Sequence, residues 1–168
     1  MNDLDYFLKL NIRSSSIDRI KNKIYNAAES DWIIHSELNI LLLDIEDLEA
    51  DTKIVQLIKD IGSHKRIGVY RTLPNTCYGW HIDPERMSSI NMLIDGFDSM
   101  CVFGKTAPLR QFSNLSKLQH EPEAYYLMNI KKSHTVYNFD NQRYILSLGI
   151  PDKSFAEVKE YLKEKNML

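Results

Sequence analysis

The segment CYGWHIDPERMSSINMLIDG, residues 77–96, carries the strongest indications of both the fold and a possible site. Its second half, SSINMLID (88–95), alternates apolar and polar side chains with a period of two, which predicts a β-strand. Its first half includes YGWHID (78–83), another strand-like run. Because side chains at i and i+2 of a strand lie on the same face, we expect His81 and Asp83 to project together.

Strand-like runs of the same kind continue along the chain between residues 66 and 150. The others are RIGVYRTL (66–73), SMCVFGK (99–105), PLRQFS (108–113), AYYLMNI (124–130), SHTVYNF (133–139) and RYILSLGI (143–150). Eight short strands separated by turns favour a sandwich or barrel over an alternating βα fold. We therefore expect an α+β protein with a jelly-roll-like core.

Helical patterns precede this strand region. SSSIDRIKNKIYNAAES (14–30) places its isoleucines on one helical face behind serine caps. DLEADTKIVQLIKDIGS (47–63) repeats the apolar spacing, and Gly62 stands where a helix C-cap belongs. Between them, WIIHSELNILLLDI (32–45) is compatible with a strand or with a buried turn of helix, because periodicity does not separate the two.

The chain ends in one more helical pattern. SFAEVKEYLKEKN (154–166) is amphipathic, and Ser154 and Glu157 have the spacing of a capping box. No repeat or linker-like segment divides the sequence, and its length of 168 residues suits one domain. We expect a single domain with three parts: a mainly helical N-terminal part (1–65), the β core (66–150) and a C-terminal helix (151–168).

Composition and charge exclude several classes of protein. The chain is 43% hydrophobic and 26% charged, as in soluble globular proteins, and its formal net charge is −2. This charge gives no overall attraction to nucleic acid or anionic membrane. Cys77 and Cys101 form neither a disulfide framework nor a metal-binding spacing. With no long apolar run and no signal-peptide pattern at the N-terminus, we expect a cytoplasmic protein.

The polar faces of two predicted strands have two possible explanations. In SSINMLID, Ser89 and Asn91 lie opposite the apolar face, and in RYILSLGI the polar face carries Arg143 and Ser147. An exposed antiparallel sheet shows the same alternation, with its polar face in water. Alternatively, these polar faces line a cavity while the apolar faces pack against helices. Arg143, Ser147 and the small Gly149 would then suit a cavity that holds an anion.

His81 and Asp83 also resemble part of a metal site. Two ligands rarely hold a transition metal, so a third ligand must come from elsewhere in the chain. Among the remaining histidines, His35, His64, His120 and His134, only His134 begins a strand-like run in the β region. Two histidines and one carboxylate form the facial triad of non-haem Fe(II) oxygenases, which leaves coordination positions open.

Together, WHIDPE (80–85) and KKSHTVYNFDNQRYILSLG (131–149) resemble the 2-oxoglutarate- and Fe(II)-dependent dioxygenases. That family has a double-stranded β-helix core and a signature of His-x-Asp/Glu, a distal His, and an Arg or Lys on the last core strand. The resemblance covers roughly residues 66–150. Within that family, the sequence is most similar to small phage and bacterial members near the prolyl and aspartyl/asparaginyl hydroxylases. Unlike the animal aspartyl β-hydroxylases, this sequence retains the carboxylate ligand, as Asp83.

The resemblance implies a metal site and a reaction. His81, Asp83 and His134 would hold Fe(II), and 2-oxoglutarate would chelate it. With O2, the enzyme would then hydroxylate a C–H bond and release succinate and CO2. Related halogenases have a small residue at the carboxylate position, so Asp83 favours hydroxylation. The substrate would be a protein or peptide side chain, an amino acid or another small molecule, and the low net charge disfavours nucleic acid.

The resemblance also implies contacts to the cosubstrate. Arg143 would bind the far carboxylate of 2-oxoglutarate through a bidentate fork that Lys does not reproduce. Further hydrogen bonds would come from Asn91, Ser147, Tyr70 and Tyr78. Arg86, close to the metal strand, is either a substrate-binding cation or a solvated turn residue.

Two other functions are compatible with the sequence. One is a cupin-like metal protein that does not use 2-oxoglutarate, which would leave Arg143 without a role. The other is a jelly-roll binding module without catalysis, in which the metal-like residues are incidental. The positions of His134 and Arg143 distinguish these functions from an oxygenase, because the oxygenase hypothesis requires both residues to lie in the same cavity as His81. The sequence does not predict an oligomeric state.

Overall fold

The computed structural model describes residues 5–35, 38–62, 67–106 and 112–168, and within these ranges the chain forms eleven strands and three α-helices. The helices are α1 (Ile17–Asn26), α2 (Thr52–Ile61) and α3 (Phe155–Glu164). The strands are β1 (Phe7–Arg13), β2 (Trp32–His35), β3 (Leu38–Leu42), β4 (Ile67–Thr72), β5 (Thr76–His81), β6 (Ser88–Asp95), β7 (Met100–Thr106), β8 (Phe112–Leu118), β9 (Ala124–Met128), β10 (His134–Asn138) and β11 (Arg143–Ile150).

The strands form two antiparallel sheets. The larger sheet has seven strands in the order β1-β9-β6-β11-β4-β3-β2, and the smaller has four in the order β5-β10-β7-β8. Neighbouring strands in each sheet are frequently distant in sequence, as expected for a jelly roll rather than a simple meander. The predicted α+β architecture with a jelly-roll core is confirmed.

The larger sheet is covered by helices on one face. Its apolar residues pack with the buried faces of all three helices in one cluster, which includes Ile20, Leu57, Val158 and, from β11, Leu146. Removing one such side chain from water contributes roughly 1.5–3 kcal/mol, so this cluster is a main source of stability. The predicted faces are confirmed here: the apolar alternation of β6 and β11 points to the helices.

The helix ends follow local signals in the sequence. Gly62 ends α2 with a φ of 73°, a left-handed conformation that glycine adopts without a Cβ clash. The Ser154 hydroxyl accepts a hydrogen bond from the Glu157 amide, while the Glu157 side chain accepts from the Ser154 amide. Both the C-cap and the capping box were predicted from sequence and are confirmed.

The N-terminal part differs from the prediction of a mainly helical segment. Strand β1 pairs with β9 at one edge of the larger sheet, and the ambiguous segment 32–45 forms β2 and β3 at the other edge. These strands exist because the edges of the central strands are available for backbone hydrogen bonds. The described residues of this N-terminal part therefore extend the sheet as well as covering it.

One predicted core strand ends later than expected. All eight expected strands occur, but the fifth was predicted at 108–113 and β8 spans Phe112–Leu118. Residues 107–111 lie outside the described ranges. The sequence of β8 is rich in serine, asparagine and lysine, so its strand conformation depends on pairing with β7 more than on residue preference. None of the helices in the described ranges has the length and apolar character needed to cross a membrane.

Candidate active site

Two histidines lie side by side on neighbouring strands of the smaller sheet. His81 ends β5, His134 begins β10, and the two residues are opposite each other in the antiparallel register. Their ring centroids are 4.1 Å apart, with the ring planes inclined by 53°. The structure thus brings together two histidines that are far apart in the sequence.

Both imidazole rings are oriented by a backbone carbonyl two residues earlier. His81 Nδ1 is 2.7 Å from the Gly79 oxygen, and His134 Nδ1 is 2.9 Å from the Lys132 oxygen. A carbonyl oxygen can only accept, so Nδ1 carries the proton and Nε2 keeps its lone pair. Metal-binding histidines are typically held in this way, with one nitrogen on a carbonyl and the other free for the metal.

His134 is also kept neutral by its surroundings. Its side chain is buried, and burial lowers the pKa of the imidazole to about 4, with the adjacent His81 acting in the same direction. A neutral imidazole is the form that binds a metal ion, because the protonated ring has no lone pair. Near pH 7, His134 therefore has the protonation state that metal binding requires.

The carboxylate of Asp83 lies in the turn after β5 and is fully engaged by hydrogen bonds. Its Oδ1 accepts from the backbone amides of Glu85 and Arg86, each at 3.1 Å. Its Oδ2 accepts from the Arg86 guanidinium through Nε at 2.8 Å and through Nη2. Burial by itself acts to raise the pKa of Asp83, but Arg86 and the backbone amides outweigh it and lower the pKa. Asp83 is thus ionised.

These three residues supply the donor types that Fe(II) prefers. Two imidazole nitrogens and one carboxylate match a facial triad. However, no three His, Cys, Asp or Glu side chains in the described ranges are grouped closely enough to hold a metal as they stand. The two histidines fit the metal directly, whereas Asp83 must exchange its Arg86 contact for the metal. The residues therefore fit Fe(II) once that exchange takes place.

Arg143 is a buried cation at the start of β11. Its side chain is only 4% exposed, and its Nε donates to the Ser99 hydroxyl at 3.1 Å. Among the residues that the structure describes, no carboxylate forms an ion pair with it. Burial lowers its pKa to about 10, so it is still charged near pH 7. An unpaired buried charge is costly, and a bound anion would offset that cost.

Gly96 allows the chain to turn closely against Arg143. It has a φ of 81°, and a Cβ at this position would lie 2.7 Å from Arg143 Cα. Such contacts require displacement of the backbone. The Asp95–Gly96 turn after β6 therefore helps to determine where Arg143 enters the space between the sheets.

A single cavity of about 420 Å³ lies between the two sheets and is lined by all the predicted site residues. Its polar lining includes the metal-site candidates and the cosubstrate candidates, namely His81, Asp83, His134, Arg143, Asn91, Ser147, Tyr70 and Tyr78. The polar faces of β6 and β11 thus point into a cavity and not into bulk water. His81, His134 and Arg143 meet the geometric condition that the oxygenase hypothesis imposed.

The remaining cosubstrate candidates have individual partners within this cavity. The Tyr78 ring contacts His81 edge-on, with centroids 4.4 Å apart. The Ser147 hydroxyl accepts from Arg86 Nη1 at 3.1 Å. Asn91 is opposite Ser147 in the sheet; its amide nitrogen contacts Met128 Sδ at 2.8 Å, while its oxygen is buried without a partner. Because the amide group carries two N–H donors, Asn91 keeps one donor besides its Met128 contact.

Arg86 and Cys101 also line the cavity, and neither was assigned a definite role from sequence. Arg86 was left undecided between a substrate contact and a solvated turn residue, and the structure places its guanidinium in the cavity wall, 5.8 Å from the Tyr70 ring centroid. The position of Arg86 three residues after Asp83 was the feature of the sequence that could have indicated its role beside that carboxylate. Cys101 also lines the cavity, and burial raises the pKa of its thiol to about 12, so it is not a thiolate near pH 7.

Of the other histidines, the structure describes the side chain of His120 alone. His120 is buried against the Tyr126 ring, does not line the cavity, and both of its ring nitrogens lack a described partner. His35 belongs to β2, at the edge of the larger sheet, and its side chain is outside the described part of the structure. His64 lies outside the described residues. Among the histidines whose side chains the structure describes, His81 and His134 line the cavity and His120 does not.

Comparisons of sequence identify no relative. No protein-family model matches the chain. No curated protein matches it either. Any likeness to known proteins is therefore carried by the fold.

Comparisons of structure give many matches. A prolyl-4-hydroxylase from Pseudomonas putida has a TM-score of 0.59 at 12% identity, over 86% of this chain and 92% of that one. HygX from Streptomyces hygroscopicus, with nickel and 2-oxoglutarate bound, has a TM-score of 0.57 at 8% identity, over 88% and 84%. A 2OG-Fe(II) oxygenase family protein from Burkholderia pseudomallei has a TM-score of 0.53 at 13% identity, over 89% of each chain. This chain therefore has the fold of 2-oxoglutarate- and Fe(II)-dependent oxygenases.

Proposed function

We propose that the protein is a non-haem Fe(II)- and 2-oxoglutarate-dependent oxygenase that hydroxylates a C–H bond. The observation that carries the proposal is the content of one cavity: two imidazoles with Nε2 available and one buried guanidinium without a carboxylate partner among the described residues. A binding module does not need both features, and a cupin-like enzyme without 2-oxoglutarate leaves the costly Arg143 charge unused. The shared fold is consistent with this reaction class.

In this proposal, His81, Asp83 and His134 hold the metal. When bound, Fe(II) and 2-oxoglutarate supply the oxidising chemistry with O2, and succinate and CO2 are released. The protein orients the ligands: the Gly79 and Lys132 carbonyls keep each imidazole proton on Nδ1. Neutral His134 and ionised Asp83 are then the correct protonation states for metal binding.

Arg143 binds the far carboxylate of the cosubstrate. Its depth between the sheets excludes water, and a charge-assisted hydrogen bond is stronger where the local dielectric is low. Ser99 fixes the guanidinium through Nε, which leaves the Nη groups for the anion. Tyr70, Tyr78, Ser147 and Asn91 are the further hydrogen-bonding candidates.

The substrate occupies the part of the cavity next to β3. Leu38, Ile40 and Leu42 alternate along this strand and form an apolar wall. Apolar walls hold the carbon skeleton of a ligand, while a few polar groups determine its orientation. This is compatible with a peptide side chain, an amino acid or another small molecule as substrate.

Anaerobic titration with Fe(II) and 2-oxoglutarate tests the proposal. The chelated complex is expected to give a weak visible charge-transfer band in the wild-type protein. His134→Ala is expected to abolish the band because a metal ligand is lost. Arg143→Met is expected to raise the Kd for 2-oxoglutarate by about 100-fold, because breaking a buried charge pair costs about 2–5 kcal/mol.

Arg19→Ala is the matched control. Arg19 lies on the surface, paired with Glu49, and is not part of the cavity lining. This variant should bind Fe(II) and 2-oxoglutarate as the wild type does. Metal binding without an effect of Arg143→Met would favour a cupin-like enzyme that does not use 2-oxoglutarate. Absence of Fe(II) binding by the wild type would refute the proposal.

A further inference from the structure

Asp83 has no acceptor position left for a metal ion in the arrangement seen here. A carboxylate offers about four lone-pair positions. Four donors approach Asp83: the amides of Glu85 and Arg86 on Oδ1, and Nε and Nη2 of Arg86 on Oδ2. The backbone contacts belong to the turn itself, whereas the guanidinium contacts come from a side chain that can move. Only Oδ2 can therefore be released without unfolding the turn.

Arg86 is held at this position by more than Asp83. Its Nη1 donates to the Ser147 hydroxyl at 3.1 Å, and its guanidinium lies 5.8 Å from the Tyr70 ring centroid. The side chains of Arg86 and Asp83 are 21% and 12% exposed, so water screens their attraction only partly. The pair is consequently stronger than an ordinary surface ion pair.

We propose that Arg86 is a positioning residue that competes with the metal ion for Asp83. The two histidines are available to a metal through Nε2, while the third ligand is bound to Arg86 Nε and Nη2. Metal binding must separate the Asp83 Oδ2 from the guanidinium, which then keeps its contacts with Ser147 and Tyr70. This inference rests on the metal-binding part of the proposed function, but not on 2-oxoglutarate.

Such competition reduces the apparent metal affinity by a calculable factor. When only a fraction f of the protein has the ligand released, the apparent Kd is the intrinsic Kd divided by f. If Asp83 is released in about one molecule in ten, the apparent Kd rises about tenfold, which corresponds to about 1.4 kcal/mol. Removing the Arg86 charge and fork should therefore tighten metal binding. A merely structural role for Arg86 predicts weaker binding instead.

The test is calorimetric titration of the full chain with Co²⁺ under anaerobic conditions and without 2-oxoglutarate. Arg86→Gln is expected to lower the Kd for Co²⁺ by about tenfold. Arg86→Lys keeps the charge but loses the two-pronged contact, so its Kd should lie between those of the wild type and Arg86→Gln. Thermal unfolding of each variant checks that it is folded. An unchanged or raised Kd in folded Arg86→Gln overturns the proposal.

A double-mutant cycle separates competition from simple charge repulsion. In Asp83→Asn there is no carboxylate for which Arg86 and the metal ion can compete. Adding Arg86→Gln to this variant should therefore leave the Co²⁺ Kd unchanged. If Arg86→Gln tightens binding equally in both backgrounds, the guanidinium acts only as a nearby positive charge, and the proposal fails. Failure of the proposed function gives a different result, seen in the wild type: either it binds no metal ion at all, or it binds Co²⁺ but not 2-oxoglutarate. Failure of the competition proposal is seen only in the variants, as a Co²⁺ Kd that Arg86→Gln does not lower.

Discussion

The two faces of the larger sheet are formed by the same strands but have different roles. Along β11, Leu146 and Leu148 are buried against the helices, while Arg143 and Ser147 point into the cavity. Both faces are largely inaccessible to water, yet one is apolar and the other carries a charge without a carboxylate partner among the described residues. The helix face therefore contributes stability through apolar packing, whereas burying an unpaired charge makes the cavity face less stable but able to bind an anion.

The largest expected effect tests the helix face. Leu146 is fully buried, so Leu146→Ala removes packing and leaves a void; we expect the free energy of unfolding to fall by about 2–5 kcal/mol. Urea denaturation measures this, and the Kd for 2-oxoglutarate should stay at its wild-type value. A weakened Kd in a variant that is still folded would show that the two faces are not independent.

The second prediction tests the cost of the cavity face. Arg143→Met replaces a buried unpaired charge by an apolar side chain of similar length. Alongside its about 100-fold loss of 2-oxoglutarate affinity, we expect the ligand-free protein to gain about 1–2 kcal/mol of stability, because the desolvation cost disappears. Denaturation with and without 2-oxoglutarate separates the two effects. A destabilised variant would mean that the Ser99 contact outweighs the cost of burying the charge.

The third prediction concerns pH and His134, which faces His81, Asp83 and Arg86. Burial lowers its pKa from 6.5 to about 4, so the unfolded chain binds more protons between these values. Stability is therefore fully present above pH 6.5 and falls as the pH drops toward 4, by up to about 3 kcal/mol. His134→Asn should lose this part of the pH dependence, as unfolding measured at pH 7 and pH 4.5 would show. His120, whose pKa is also lowered, is present in both the wild type and His134→Asn, so its contribution to the pH dependence cancels when the two are compared.

The smallest expected effect comes from comparing two glycines in the left-handed conformation, one near each face of the larger sheet. A Cβ added at Gly62 would project into open space, while at Gly96 that atom would lie 2.7 Å from Arg143 Cα. Gly62→Ala and Gly96→Ala should each lose about 1 kcal/mol from backbone strain, with a further loss for Gly96→Ala. Only Gly96→Ala should also weaken 2-oxoglutarate binding. Equal binding by both variants would remove Gly96 from the positioning of Arg143.

Much of the core was predictable because its signals are local. The alternation in β6 and β11 predicted both faces, and the Ser154 capping box and the Gly62 C-cap marked helix ends. Strand β1 was missed although FLKLNIR alternates, since Leu8 and Leu10 gain their burial only by pairing next to β9. The end of β8 was predicted too early, at residue 113 and not at Leu118, because its polar sequence depends on its neighbour more than on its own preference.

By itself, the sequence determined which residues share a face and which chemical groups are available. Alternation and capping depend on neighbours a few positions away, so they can be read along the chain. Only the tertiary structure decided that His134 lies opposite His81, that Arg143 is buried without a carboxylate partner among the described residues, and that Arg86 binds Asp83. These features depend on strand register and on exclusion of water, which arise from contacts between distant segments and exist only when the chain is folded.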